Sequence, residues 1–200
     1  MTGIGLPFRE AMPDDAMVLA RLVNIAGEGL PFYLWKQMTR EGESAWDVGH
    51  ARARREVGSF SYQNAVLLVR GEDIVGCLIG YPLASESPDT DYAEIPPMFV
   101  PLQQLEDMVP GTWYINAVAV FEEFRGQGHG KELLALAETI ARDMGMPGLS
   151  LIVADTNAGA RKLYNKIGFQ EKAYRPMVKE RWQHSGANWV LMVKDLEYSQ

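Results

Sequence analysis

Between Arg125 and Gly130 the chain carries glycine at 126, 128 and 130, and Lys131 follows. Glycine lets backbone N–H groups approach an anion without interference from a Cβ. The flanking arginine and lysine add positive charge. Such a turn is suited to gripping a phosphate, provided the neighbouring elements aim it. Trp113 to Phe121 is apolar, has aromatic ends and holds no proline, which predicts a buried strand. From Lys131 onward, Leu133, Ala137, Ile140, Ala141 and Met144 fall on one helical face. A helix start adds unpaired N–H donors and a dipole that favours negative charge. Two other phosphate motifs are excluded. Glu132 stands where a P-loop needs Ser or Thr after Gly130-Lys131. The alternate glycines do not fit the G-x-G-x-x-G of a dinucleotide site. A turn that only permits close strand–helix packing stays open as the other reading.

Composition narrows the classes. A chain of 200 residues with 47% apolar content is long enough for a proper core and suggests one domain. The formal charge of −7 argues against non-specific nucleic-acid binding and is compatible with cationic substrates. A single cysteine, Cys77, excludes an internal disulfide or a cysteine zinc cluster, and its apolar surroundings predict a core position. His50, His129 and His184 form no metal-ligand spacing. The first residues show no basic segment followed by an apolar stretch, and no apolar run approaches membrane-spanning length. A cytoplasmic protein is the expectation.

The elements that position the turn read as follows. Phe8 to Ala11 predicts a first strand, and Pro13-Asp14-Asp15 a helix start running to about Gly27. Two further helical pieces are expected over 30–57. There Tyr33, Trp35 and Trp46 either pack a helical layer onto the sheet, the favoured reading for each singly, or line an acceptor pocket. Asn64 to Arg70 and Ile74 to Tyr81 predict a hairpin around Gly71-Glu72-Asp73. The stretch 83–111 is proline-rich, Pro88 included, and acidic. It reads as an insertion with a short helix near 102–108, either beside an acceptor site or remote from it. Leu149 to Ala154 predicts a strand, Asp155-Thr156-Asn157 a helix cap, and Ala160, Leu163, Tyr164 and Ile167 the inner face of the helix that Gly168 ends. Phe169 to Arg175 and Asn188 to Leu196 predict the last two strands. The order gives a mixed α/β sheet with helices on both faces.

The R-x-x-G-x-G of Arg125, Gly128 and Gly130 resembles motif A of the GCN5-related N-acetyltransferase (GNAT) family. The N-x-x-A-x-x-L-Y-x-x-x-G-F from Asn157 to Phe169 resembles its motif B, in the family's order and spacing. Val190 to Leu196 is similar to the family's closing strand. The resemblance is firm from about Thr112 to Leu196. It implies a mixed, mostly antiparallel twisted sheet of about six to seven strands, in a single domain over 1–200 with an insertion at 83–111. It also implies acetyl-CoA as cosubstrate, no metal, an amine acceptor in a small molecule, peptide or protein, and a homodimer by analogy.

The resemblance further implies roles for positions. Arg125, Gly126, Gln127, Gly128, His129, Gly130 and Lys131 would hold the pyrophosphate, mainly through backbone amides. Val118 and Val120 would bond the pantetheine arm by their main chain, on a strand that a bulge usually splays from its neighbour. Asn157 would contact the cofactor, or else simply cap its helix. Tyr164 would protonate the leaving thiolate; a phenol titrates near about 10 and a thiol near about 8.5, so the transfer is not steeply uphill. Two positions depart from the family pattern. Asn116 stands where many relatives carry glutamate, and an amide cannot take a proton. A lysine-like amine, with a pKa near about 10.4, needs an acceptor for its proton. Glu94 or another acid of 83–111, Glu28, or a water chain are the candidates. His129 stands where an aliphatic residue is usual, and reads as a packed imidazole. Two other functions compete: a non-catalytic acetyl-CoA sensor or scaffold, and a transferase using another acyl-CoA or an oxygen acceptor.

Overall fold

A computed structural model of the chain describes residues 4–86 and 89–197. Met1, Thr2 and Gly3 of the N-terminal stretch, and Pro88 of the proline-rich segment, lie outside these. The chain forms two compact units, Met1–Tyr81 with Asn116–Ala137, and Pro82–Ile115 with Glu138–Gln200. Its strands form a seven-stranded sheet in the order β1-β2-β3-β4-β5-β7-β6.

The first unit begins with β1 (Phe8–Glu10) and a single 3-10 turn at Pro13–Asp15, which leads into α1 (Ala16–Ala26). Asp15 fixes that entry. Its carboxylate accepts from the Met12 amide at 2.8 Å and from both Arg9 guanidinium nitrogens at 2.7 and 2.8 Å. The Arg9 hydrogen bond holds the carboxyl below its usual range despite burial. α2 (Leu30–Gln37) starts from Gly29 at φ 87°, a left-handed conformation that favours glycine. α3 (Ala45–Ala53) starts from a reciprocal cap in which the Asp47 amide donates to the Ser44 hydroxyl at 3.2 Å and the Ser44 amide to the Asp47 carboxylate at 2.9 Å. Trp35 is buried, stacked 5.9 Å from Phe60 and edge-on to Trp46 at 6.2 Å. The packing alternative for Trp35 is therefore the observed one. These helices share a core with Leu67, Cys77 and Ile79 of the hairpin β2 (Ala65–Arg70) and β3 (Asp73–Pro82). Burial pushes the Cys77 thiol up to about 12, as expected for a core cysteine that takes no part in chemistry.

β4 (Trp113–Val120) follows the pleat. Trp113, Ile115, Ala117 and Ala119 are all buried on one face, while Asn116 on the other is exposed. Its C-terminal part lies close against β3 at Gly76, where a Cβ would stand 2.4 Å from the Ala119 carbonyl oxygen and 3.2 Å from the Val120 Cα. Both neighbours are backbone, so nothing can swing away. Gly76→Ala is expected to cost about 3 kcal/mol by denaturant titration. A change below about 0.5 kcal/mol, the size of an ordinary surface substitution, would show that the two strands can separate freely here.

The second unit holds α4 (Val100–Glu106), the start of β4, the end of α5 (His129–Asp143), β5 (Gly148–Ala154), α6 (Ala158–Lys166), β6 (Gln170–Pro176) and β7 (Asn188–Asp195). The start of β4 runs parallel to β5, Trp113–Ile115 against Leu149–Leu151, and the buried Thr112 and Ser150 hydroxyls meet at 2.7 Å. β7 is antiparallel to both β5 and β6. Lys194 joins it to α5 by a 2.6 Å ion pair with Glu138, which also accepts from Arg142. The short helix expected near 102–108 is present as α4, two residues earlier.

Candidate active site

In the first unit β4 gives way to a 3-10 turn at Glu122–Phe124 and then to the glycine turn. Gly126 has φ 77° and Gly128 φ 91°, and a Cβ built on either meets nothing within 4 Å. The packing alternative for these two glycines therefore fails. They are needed for backbone direction, and the space beside them is open. Hydrogen bonding of α5 begins with the Lys131 and Glu132 amides, which both donate to the Gly128 carbonyl at 2.9 and 3.2 Å. Ahead of them lie the N–H groups of 126–130, donors that the helix itself cannot satisfy. Arg125, Gln127 and Lys131 are exposed, and the Arg125 Nε donates to the Val120 carbonyl at 3.2 Å. The result is a positively polarised stretch of backbone with open space beside it, suited to a pyrophosphate.

His129 opens α5 with its ring buried, and its Nδ1 lies 3.1 Å from Glu132. The packed-imidazole reading agrees with this placement. Glu132 is in turn paired with Arg70. Burial would raise the Glu132 carboxyl, but the hydrogen bonds from Arg70 and His129 outweigh it and hold it below the usual range. The network anchors the first turn of the helix to β2. Val118 and Val120 are half-buried on the Asn116 face of β4.

In the second unit Asn157 caps α6, its Oδ1 accepting from the Ala160 amide at 3.1 Å. That oxygen is committed to the helix, as the capping alternative required. Tyr164 is buried on the inner face of α6, its ring 5.9 Å from Phe169. Asp155 accepts from the Ala187 and Asn188 amides at 3.0 and 2.9 Å and from the Asn188 side chain at 3.1 Å. It borders a hollow of about 430 Å³ that also touches Glu171, Tyr174 and Val190. Asp155 is saturated by these donors and Glu171 is paired with Arg161, so both carboxylates of that hollow serve the fold.

One acid of the 83–111 stretch has a distinct environment. Glu106, the last residue of α4, is half-buried and hydrogen-bonded to Tyr114 of β4. Burial and the neighbouring Asp107 push its carboxyl up to about 7, against the pull of the Tyr114 hydrogen bond. Glu94, by contrast, is exposed on a 3-10 turn. Among the described residues no cluster of three or more His, Cys, Asp or Glu side chains could hold a metal, and no helix is long and apolar enough to cross a membrane.

Comparison with known proteins bears on this arrangement. The model of the Acetyltransferase (GNAT) family matches residues 32–169. The N-acetyltransferase YycN of Bacillus subtilis (strain 168) is 45% identical over 58 residues, 29% of this chain and 37% of that protein. The chloroplastic GCN5-related N-acetyltransferase 4 of Arabidopsis thaliana is 40% identical over 60 residues, 30% of this chain and 21% of that protein. These matched stretches span well under half the length of either relative. A crystal structure described as an acetyltransferase shares the fold with a TM-score of 0.65, at 23% identity over 95% of this chain and 99% of that one. Ard1 from Thermoplasma volcanium shares it with a TM-score of 0.59, at 17% identity over 96% and 97% of the two chains. A GNAT family acetyltransferase from Elizabethkingia anophelis, with acetyl-CoA bound, shares it with a TM-score of 0.50, at 21% identity over 66% and 75%. With the family model matched over more than half of its length, and with the glycine turn and Tyr164 helix on the page, this chain belongs to the GNAT acetyltransferase family.

Proposed function

We propose that the protein is an acetyl-CoA-dependent N-acetyltransferase acting on a primary amine, with the whole chain serving as one transferase domain. The observation that carries this reading is the turn at Gly126 and Gly128, left-handed, open on its Cβ side and leading directly into α5. Its geometry suits a diphosphate, and family membership makes that diphosphate the one in acetyl-CoA. Backbone amides of 126–130 would hold it, with Arg125 and Lys131 supplying charge. The main-chain groups of Val118 and Val120 would align the pantetheine arm, and an amide near Val118 would stabilise the oxygen of the reacting carbonyl. Asn157 would steady the cofactor through the start of α6. Acetyl-CoA supplies an activated acetyl group. Tyr164 donates the proton that the departing sulfur needs.

The exposed Asn116 favours a second reading, a sensor or scaffold that binds acetyl-CoA without turnover, because an amide cannot serve as a base. Calorimetric titration with acetyl-CoA, CoA and ATP tests the first step. Binding of acetyl-CoA and CoA but not ATP is expected. No binding by folded protein would sink both readings. Binding without CoA release across a panel of amines would favour the sensor, and release with a longer acyl-CoA alone would move the donor.

A further inference from the structure

Within the first unit, the glycine turn carries a carboxylate where an anion-binding turn tolerates one least. Glu132 is the acidic residue in the first turn of α5, and its own amide donates to the Gly128 carbonyl at 3.2 Å. A fixed negative charge so close to a helix start favours the helix but repels an incoming phosphate. The side chains around it show where that charge is spent. One carboxylate oxygen lies 3.1 Å from the His129 Nδ1, and the other accepts from the Arg70 guanidinium at the end of β2. Glu132 stays ionised, so the shared proton sits on the His129 Nδ1, which donates it. Both oxygens thus serve side chains, and the amides of 126–130 are not among their donors.

We propose that Arg70 is a positioning residue of the acetyl-CoA site: it draws the Glu132 carboxylate onto β2 and neutralises it, so that the turn presents donors and no net repulsion to the diphosphate. The role rests on the reading of the glycine turn as the diphosphate site. Arg70 acts on the cofactor through Glu132, and Glu132 acts through the two residues it touches, Gly128 by its amide and His129 by its carboxylate.

Three observations support the role. The pair joins residues 62 positions apart, so it is no by-product of helical spacing. Both side chains are half-exposed, and an ion pair in that setting adds little to stability, which leaves charge at the turn as its larger effect. The other charges beside the turn cancel: Arg125 and Lys131 are exposed, as are Glu122 and Glu123 of the preceding 3-10 turn. Loss of Arg70 therefore leaves this end of the unit net negative, with the unpaired charge on the residue bonded to Gly128 and His129.

The test is calorimetric titration of the whole protein with acetyl-CoA, at low salt and at about 0.5 M salt, where exposed charges are screened within about 4 Å. Arg70→Met keeps most of the aliphatic stem and loses the charge. It is expected to weaken binding about tenfold at low salt and less than about threefold at high salt. Arg70→Lys, which retains a cation for Glu132, is expected to recover most of that loss. Adding Glu132→Gln to Arg70→Met removes the repelling charge but leaves an oxygen for His129, and is expected to return affinity to within about threefold of wild type. Glu132→Gln alone, which tests the same charge if Arg70→Met does not fold, is expected to tighten binding about threefold, because Arg70 then stands uncompensated. Binding by folded Arg70→Met within about twofold of wild type at low salt overturns the proposal. So does a loss that the second substitution leaves in place, since Arg70 would then act on the cofactor or the fold directly, and so does weaker binding by Glu132→Gln alone. Wild-type protein that binds no acetyl-CoA overturns the diphosphate reading and the role of Arg70 with it, an outcome read before any variant is compared.

Discussion

Gly128→Glu is expected to weaken acetyl-CoA binding by more than about 100-fold, equivalent to about 2.7 kcal/mol, in a protein that still folds. Two structural facts drive the size. Gly128 sits at φ 91°, and the space its Cβ would enter is empty of protein. A side chain there clashes with nothing in the fold and adds backbone strain of about 1–2 kcal/mol. In the proposed site the carboxylate would occupy the space assigned to the diphosphate and repel it at short range, where the coupling is strong. Gly71 of the β2–β3 hairpin is the matched control. It has φ 60° and equally open surroundings, so Gly71→Glu introduces similar strain and the same charge. Calorimetry on both variants, with thermal melts, separates the possibilities. Equal affinity losses in the two would remove the glycine turn from the binding site.

Tyr164→Phe is expected to lower kcat by about 100- to 1,000-fold while acetyl-CoA affinity stays within about threefold. The ring is buried on the inner face of α6 against Phe169, and phenylalanine preserves that packing. Only the phenolic hydroxyl is lost, so the variant isolates proton donation from fold. A split in which kcat falls and KM does not is the mark of an interaction made in the transition state. Steady-state kinetics with a thiol-trapping assay would show it. Unchanged kcat would take Tyr164 out of the mechanism and leave it as a core residue.

The linear order of the fold was legible because each element advertises itself locally. Alternation and apolar runs marked all seven strands to within one or two residues, and glycine, proline and capping residues marked their ends. The glycine turn was legible for the same reason: a left-handed backbone at Gly126 and Gly128 is a property of those residues. The Ser44 cap and the 3-10 turn at Glu122–Phe124 were not anticipated, since each needs only one or two side chains and leaves little pattern.

By itself, then, the sequence determined the succession of strands and helices, the turn suited to a diphosphate, and the pair of motifs in family order. Those features depend on neighbours within a few positions, and local conformational preference suffices to specify them. The tertiary structure alone decided the rest. It placed β7 between β5 and β6, although β6 comes first in the chain. It put Trp35 into the core, stacked on Phe60. It also turned Glu106 from one of several acids in a proline-rich stretch into a half-buried carboxyl bonded to Tyr114. Strand order, burial and a shifted proton affinity come from groups brought together across long chain separations, and such encounters leave no periodicity in the sequence.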